Sequence, residues 1–133
     1  MAYPKNYRYT KEHEWISVDG PLATIGITDY AQQELGDVVF VELPKPGAKL
    51  ETGKSFGTVE SVKAVSEIYA PAAGEVIESN AELQNTPDKI NTDPHSSGWL
   101  VKVRLTNAAE LNGLMDAPAY EAYIAAKSTE ASA

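Results

Sequence analysis

Hydrophobic and polar residues alternate along this chain in short runs, and few stretches carry the longer period of an amphipathic helix. Trp15-Ile16-Ser17-Val18 and Leu22-Ala23-Thr24-Ile25-Gly26-Ile27 flank Asp19-Gly20, which predicts a hairpin whose turn residues both take positive φ. Thr28 or Asp29 can cap a two-turn helix over residues 30–35, which Gly36 ends in a conformation that side chains resist. Residues 38–43, a run from Phe56 through Val65, Ile68-Tyr69, Val76-Ile77 and residues 99–105 read as further short strands, separated by proline and glycine. The polar stretch 84–97 with its two prolines reads as a long loop. Gly36-Asp37-Val38-Val39 is echoed by Gly74-Glu75-Val76-Ile77, the mark of a duplicated strand unit. Near the end, Asn107 with Glu110 suits a capping box, and Asp116 precedes a terminal helix from Ala117 to Lys127 with Pro118 in its first turn, where the missing N–H costs little. Residues 128–133 read as a frayed tail. The fold class predicted is mainly β, with short helices and a C-terminal helix.

Length narrows the picture to one domain spanning residues 1–133. Apolar stretches run only a few residues, as in Val38-Val39-Phe40-Val41, well short of the roughly 20 needed to cross a membrane as a helix. The formal charge of −8 opposes binding to phosphate backbones, so no nucleic-acid partner is expected. Cysteine is absent, which removes disulfides, thiolate metal sites and a cysteine nucleophile together. Any sulfur chemistry therefore has to arrive on a cofactor. The first residues lack an apolar signal segment and an Arg-rich leader, so the expected setting is cytoplasmic, or an organelle matrix for a processed chain.

Few motifs carry chemistry of their own. Gly53-Lys54-Ser55 lacks the preceding glycine of a phosphate-binding loop, because Ala48 stands at its position. His13 and His95 have no metal-ligand spacing, and no Gly-x-Ser-x-Gly elbow anchors a hydrolytic triad. The informative stretch runs from Gly57 to Ile68, with Lys63 alone between two β-leaning runs. With Val62 and Lys63 as the turn, Ser61 faces Ala64, Glu60 faces Val65, and the amine projects from the tip. No Gly or Asn stands in that turn to fix it by local chemistry. On spacing alone, Lys63 is either a solvated surface lysine or a modification target.

Glu60-Ser61-Val62-Lys63-Ala64 resembles the lipoylation motif of the H proteins of the glycine cleavage system. Further blocks similar to that family are His13-Glu14-Trp15, residues 23–29, residues 36–44, Gly74-Glu75-Val76-Ile77 with Asn80, Gly98-Trp99, and Tyr120-Glu121-Ala122-Tyr123. The resemblance implies a barrel-sandwich hybrid of two antiparallel sheets. It also implies lipoate in amide linkage on Lys63, with Glu60, Ser61, Val62 and Ala64 read by the lipoate-attaching enzyme. The chain would then be a monomeric carrier and not a catalyst. Its arm would take an aminomethyl group from a pyridoxal-phosphate glycine decarboxylase to a tetrahydrofolate-dependent aminomethyltransferase, and dihydrolipoamide dehydrogenase would reoxidise it. The setting would be the bacterial cytoplasm, or the mitochondrial matrix for a eukaryotic chain.

Two related carriers fit less well. A biotinyl domain usually flanks its lysine with methionines, and a lipoyl domain of a 2-oxoacid dehydrogenase usually carries Asp-Lys-Ala; Val62 and Ala64 stand here instead. A loaded arm ending in an ammonium would gain from docking against a carboxylate. Glu14 is the candidate that the family favours, with Glu67 and Glu12 beside it.

Overall fold

The computed structural model describes residues 3–132, with side chains over residues 3–127. In chain order the strands are β1 (Arg8–Tyr9), β2 (Glu14–Asp19), β3 (Leu22–Ile27), β4 (Val38–Glu42), β5 (Lys49–Leu50), β6 (Ser55–Ser61), β7 (Val65–Tyr69), β8 (Gly74–Ser79) and β9 (Val101–Leu105). Helices α1 (Asp29–Leu35), α2 (Glu82–Asn85), α3 (Lys89–Thr92) and α4 (Ala117–Ser132) lie between and after them. The strands form two antiparallel sheets, one ordered β1-β2-β3-β9-β8-β5 and the other β4-β6-β7. Neither sheet closes on itself.

Alternation decides which faces meet. Val41 and Val59 pair across β4 and β6 and are buried, whereas their neighbours Glu42 and Glu60 reach solvent. Ile27, Leu35, Val38, Ile68, Leu83, Ile90 and Leu100 complete that cluster. Ile16, Ile25, Val76, Val101 and Val103 build a second one on the large sheet. A third, of Tyr9, Trp15, Ala117 and Tyr120, fastens the N-terminal strand to α4. Trp15 donates its Nε1–H to the Pro94 carbonyl at 2.9 Å. Its ring passes so close to Gly26 that a Cβ there would lie 2.6 Å away.

Several details differ from the sequence expectation. Asp19 pairs with Leu22, so the first hairpin turns at Gly20-Pro21, and Gly20 alone takes a positive φ, +63°. That is the pattern of a II′ turn; the fixed φ of proline forbids I′. The expected run from Phe56 through Val65 is divided between β6 and β7 at Ser61. The stretch expected as a loop over 84–97 holds the end of α2 and the whole of α3, one turn each, closed by bonds such as Thr86 N–H to Glu82. Asn107 does cap the 3-10 segment Ala108–Gly113, but Glu110 turns away from it to accept from Thr52 Oγ1 and Ala73 N–H. The capping box is therefore half formed. The side chains of 128–132 and the whole of Ala133, where fraying is expected, lie outside the described residues.

The sequence echo has a structural counterpart. Pairing skips Val39 between Val38 and Phe40, and skips Ile77 between Val76 and Glu78. Both matched segments therefore bulge at the last residue of the match.

Candidate functional site

The β6–β7 hairpin holds the registers expected of it: Glu60 pairs with Val65, and Ser61 N–H donates to the Ala64 carbonyl at 2.8 Å. What fixes the tip is the buried Ser61 side chain. Its Oγ accepts from Lys63 N–H at 3.2 Å and from Ala64 N–H at 3.1 Å, so the two turn amides are satisfied without Gly or Asn. The expectation that local chemistry hardly fixes this turn is thus overturned by a residue already in view. Val62 N–H donates to the Asp37 carbonyl at 3.0 Å and ties the tip to the segment after α1.

Lys63 is exposed, and among the described residues it joins no salt bridge. Its stem rests over Gly36, where a Cβ would stand 3.1 Å from Lys63 Cε. Gly36 ends α1 with φ +79° and donates its N–H to Gln32. One glycine thus serves as both the helix stop and the floor under the lysine.

Beside that floor opens a cleft of about 270 Å³ between α1, the segment before β2, the end of β3, β7 and α4. Glu34 and Tyr30 contribute from α1, Ser66 and Ile68 from β7, Glu12 and His13 from the segment before β2, and Lys127 from α4. Of the three carboxylates considered for docking, only Glu12 lines it. Glu14 is 2% exposed; its Oε1 accepts from the Thr10 hydroxyl at 2.6 Å and its Oε2 from Tyr69 N–H at 3.2 Å. Thr10 lies between β1 and β2, and Tyr69 lies at the far end of β7 from Lys63. Burial raises the Glu14 carboxyl to about 7, although the bonds from Thr10 and Tyr69 pull the other way. Glu67 pairs with Thr58 and alternates with Ser66 and Ile68, so its side chain leaves the opposite face, where it accepts from the Tyr69 hydroxyl at 3.3 Å.

Glu34 and His13 were not among the sequence candidates. Glu34 had no readable signal, since only the fold brings Lys63 over Gly36, two residues after it. His13 stands in a block that resembles the family, but nothing there announces its φ of +72°, which is rare for a side-chain-bearing residue. Its Nδ1 lies 2.8 Å from the Tyr120 hydroxyl, which lies 2.7 Å from Thr28 Oγ1. Burial, then the charge of Lys127, lowers the His13 pKa and favours the neutral ring. Among the described residues no group of His, Cys, Asp and Glu could hold a metal ion, and no helix is long and apolar enough to cross a membrane. The arrangement offers an exposed primary amine on a rigid turn, fit to be modified by another protein's active site.

Comparison with known proteins gives this geometry its context. The family model for the glycine cleavage H-protein matches residues 7–127. The glycine cleavage system H protein of Acidobacterium capsulatum is 62% identical over 93% of this chain and 95% of its own length, and that of Koribacter versatilis is 60% identical over 94% and 96%. The crystal structure of a glycine cleavage system H protein from Mycobacterium marinum superposes with a TM-score of 0.82 at 40% identity, covering 89% of this chain and 95% of that one. A match of this extent, on a fold with an isolated lysine at a hairpin tip, means that the chain belongs to the glycine cleavage H-protein family, the lipoyl carriers of the glycine cleavage system.

Proposed function

We infer that Lys63 is the residue that carries lipoate, in amide linkage through Nζ. One observation carries this reading: the amine stands exposed at the end of a turn that Ser61 holds rigid, over a glycine that leaves the stem room. The residues fit the group, since Nζ has no ionic partner among the described residues to give up and no bulky side chain at position 36 crowds the stem. When bound, lipoate supplies a dithiolane whose sulfurs accept and release a one-carbon aminomethyl unit, chemistry that this cysteine-free chain lacks.

The chain's own residues present and shelter. Ser61 orients the turn amides, and Glu60, Val62 and Ala64 form the edge that a lipoate-attaching enzyme reads. Extended, lysine plus lipoyl chain reaches about 14 Å on a dozen bonds of about 1.2 Å each, so the neighbouring cleft lies within its range. There Glu12 and Glu34, two carboxylates against the single cation Lys127, offer negative charge to an ammonium group, and Ile68 and Tyr30 line the cleft beside them. The partner enzymes that follow from this reading are glycine decarboxylase, aminomethyltransferase and dihydrolipoamide dehydrogenase, met in the bacterial cytoplasm. The chain itself carries and does not catalyse.

Lys63→Arg tests the reading. Arg keeps the charge but does not form the lipoyl amide, so the variant should gain no lipoyl mass and support no glycine-dependent CO2 exchange, with its melting temperature unchanged. Exchange at the level of the parent chain would overturn the assignment.

A further inference from the structure

Single apolar side chains on a surface are ordinary, but a cluster of them marks a contact. The four most exposed large hydrophobic residues described are Val62 at 68%, Val65 at 61%, Val39 at 50% and Phe40 at 49%. All four gather around Lys63. Phe40 pairs with Glu60 and Glu60 with Val65, so the three side chains form one row on the outer face of the small sheet. The bulge at Val39 creates the patch: Val38 and Val41 stay buried while both residues between them face solvent. The matching bulge at Ile77 is followed by Glu78, so a bulge of this kind does not need an apolar residue at the Phe40 position. Phe40 is in water for a reason outside the fold.

Charge identifies the kind of occupant. Glu42 and Glu67 both pair with Thr58 in the next row, Glu60 lies within the patch, and β4, β6 and β7 contain no Lys or Arg. We propose that this face, centred on Phe40 and Val65, docks the enzyme that acylates Lys63, through an apolar hollow ringed by Lys or Arg side chains. The proposal rests on the reading of Lys63 as the acylated residue. Acylation happens at Nζ, so that enzyme must approach within a lysine's length of the tip and press against the neighbouring strands. An enzyme that works at the far end of a 14 Å arm, a length of about a dozen bonds, can instead dock further from the tip.

The test uses the full chain with a lipoate ligase, ATP and lipoate, following conversion by intact mass. Phe40→Asn combined with Val65→Thr should raise KM for the chain about tenfold or more, the scale of a central apolar contact, with kcat and melting temperature unchanged. Phe40→Leu should recover most of the loss, and Ile77→Thr on the other bulge should change nothing. If the double variant melts early, Glu42→Lys with Glu67→Lys on the same strands replaces it and should raise KM likewise. A KM within twofold of the parent's for the folded variant would overturn the proposal, as would normal acylation with defects only in later steps of the cycle. Failure of the parent chain itself to gain lipoyl mass would instead overturn the reading of Lys63.

Discussion

Glu14 holds a carboxyl where a charge is costly. It is almost fully buried, and its two acceptor bonds offset only part of the desolvation, leaving a pKa of about 7 against an ordinary 4.5. Between those values the folded chain binds more protons than the unfolded one, so stability falls as pH rises from about 4.5 to 7, and the cost persists above 7. Each tenfold change in proton affinity is worth about 1.4 kcal/mol, so the cost approaches about 3 kcal/mol. Glu14→Gln retains the fit, with its oxygen toward Tyr69 N–H and its amide toward Thr10. We expect this variant to lose the decline and to gain stability above pH 7. Urea midpoints at pH 5, 7 and 8.5 check it, and parallel pH profiles for variant and parent would place the titration elsewhere. At this scale the residue types were legible and their surroundings were not. Glu14 reads in sequence as a carboxylate free to meet a cation, because nothing in His13-Glu14-Trp15 announces that Thr10 and Tyr69 enclose it.

Among elements, the small sheet depends on one glycine. A Cβ on Gly57 would fall 2.5 Å from the Glu42 carbonyl oxygen, a backbone atom fixed in β4 beside the irregularity in β6 pairing. Gly53 has a positive φ, +81°, but open space around it. Gly53→Ala should therefore cost about 1–2 kcal/mol, the strain of a left-handed residue, and Gly57→Ala distinctly more, because the β4–β6 ladder has to shift. Thermal or urea unfolding of the two variants ranks them, and an equal loss would show that β4 yields easily. At the tip, Ser61→Ala should remove the acceptor of two turn amides, at about 1–2 kcal/mol, and should speed hydrogen exchange at Lys63 and Ala64 before any other pair in the hairpin. Alternation made β2, β3, β4, β6 and β9 readable. It could not give the two-residue strands β1 and β5, too short for any period, nor say which residue of Val38-Val39-Phe40-Val41 is the extra one. The helical turns α2 and α3 were hidden for another reason: each is one turn long, and Leu83 and Ile90, buried in the core, settle them in place.

Across the whole molecule, five segments spread from Glu12 to Lys127 meet to make the cleft beside Lys63, and this explains why the lysine was legible and its shelter was not. The tip is local, written in five consecutive residues. The cleft needs the left-handed turn at His13, the packing of α1 and the inner face of β7 at once, and the sequence records none of these together. Its two carboxylates also redirect the expectation of docking from Glu14 and Glu67 toward Glu12 and Glu34. If the proposed arm on Lys63 carries a cationic group, that group would meet Glu34, on the helix that ends at Gly36, and Glu12, both of which line the cleft with Lys127. Both carboxylates are exposed at the rim of the cleft, and Ile68 is buried beneath it. Glu12→Gln with Glu34→Gln should therefore leave lipoyl attachment and reoxidation of the dithiol unchanged while hastening hydrolytic loss of the aminomethyl group from the isolated, loaded chain several-fold. The measurement is first-order release of formaldehyde and ammonia without partner enzymes. Glu67→Gln, on the other face of the sheet, should decay at the parent rate. Equal rates for all three chains would remove the cleft from the carrier's chemistry and leave Lys63 to act by reach alone.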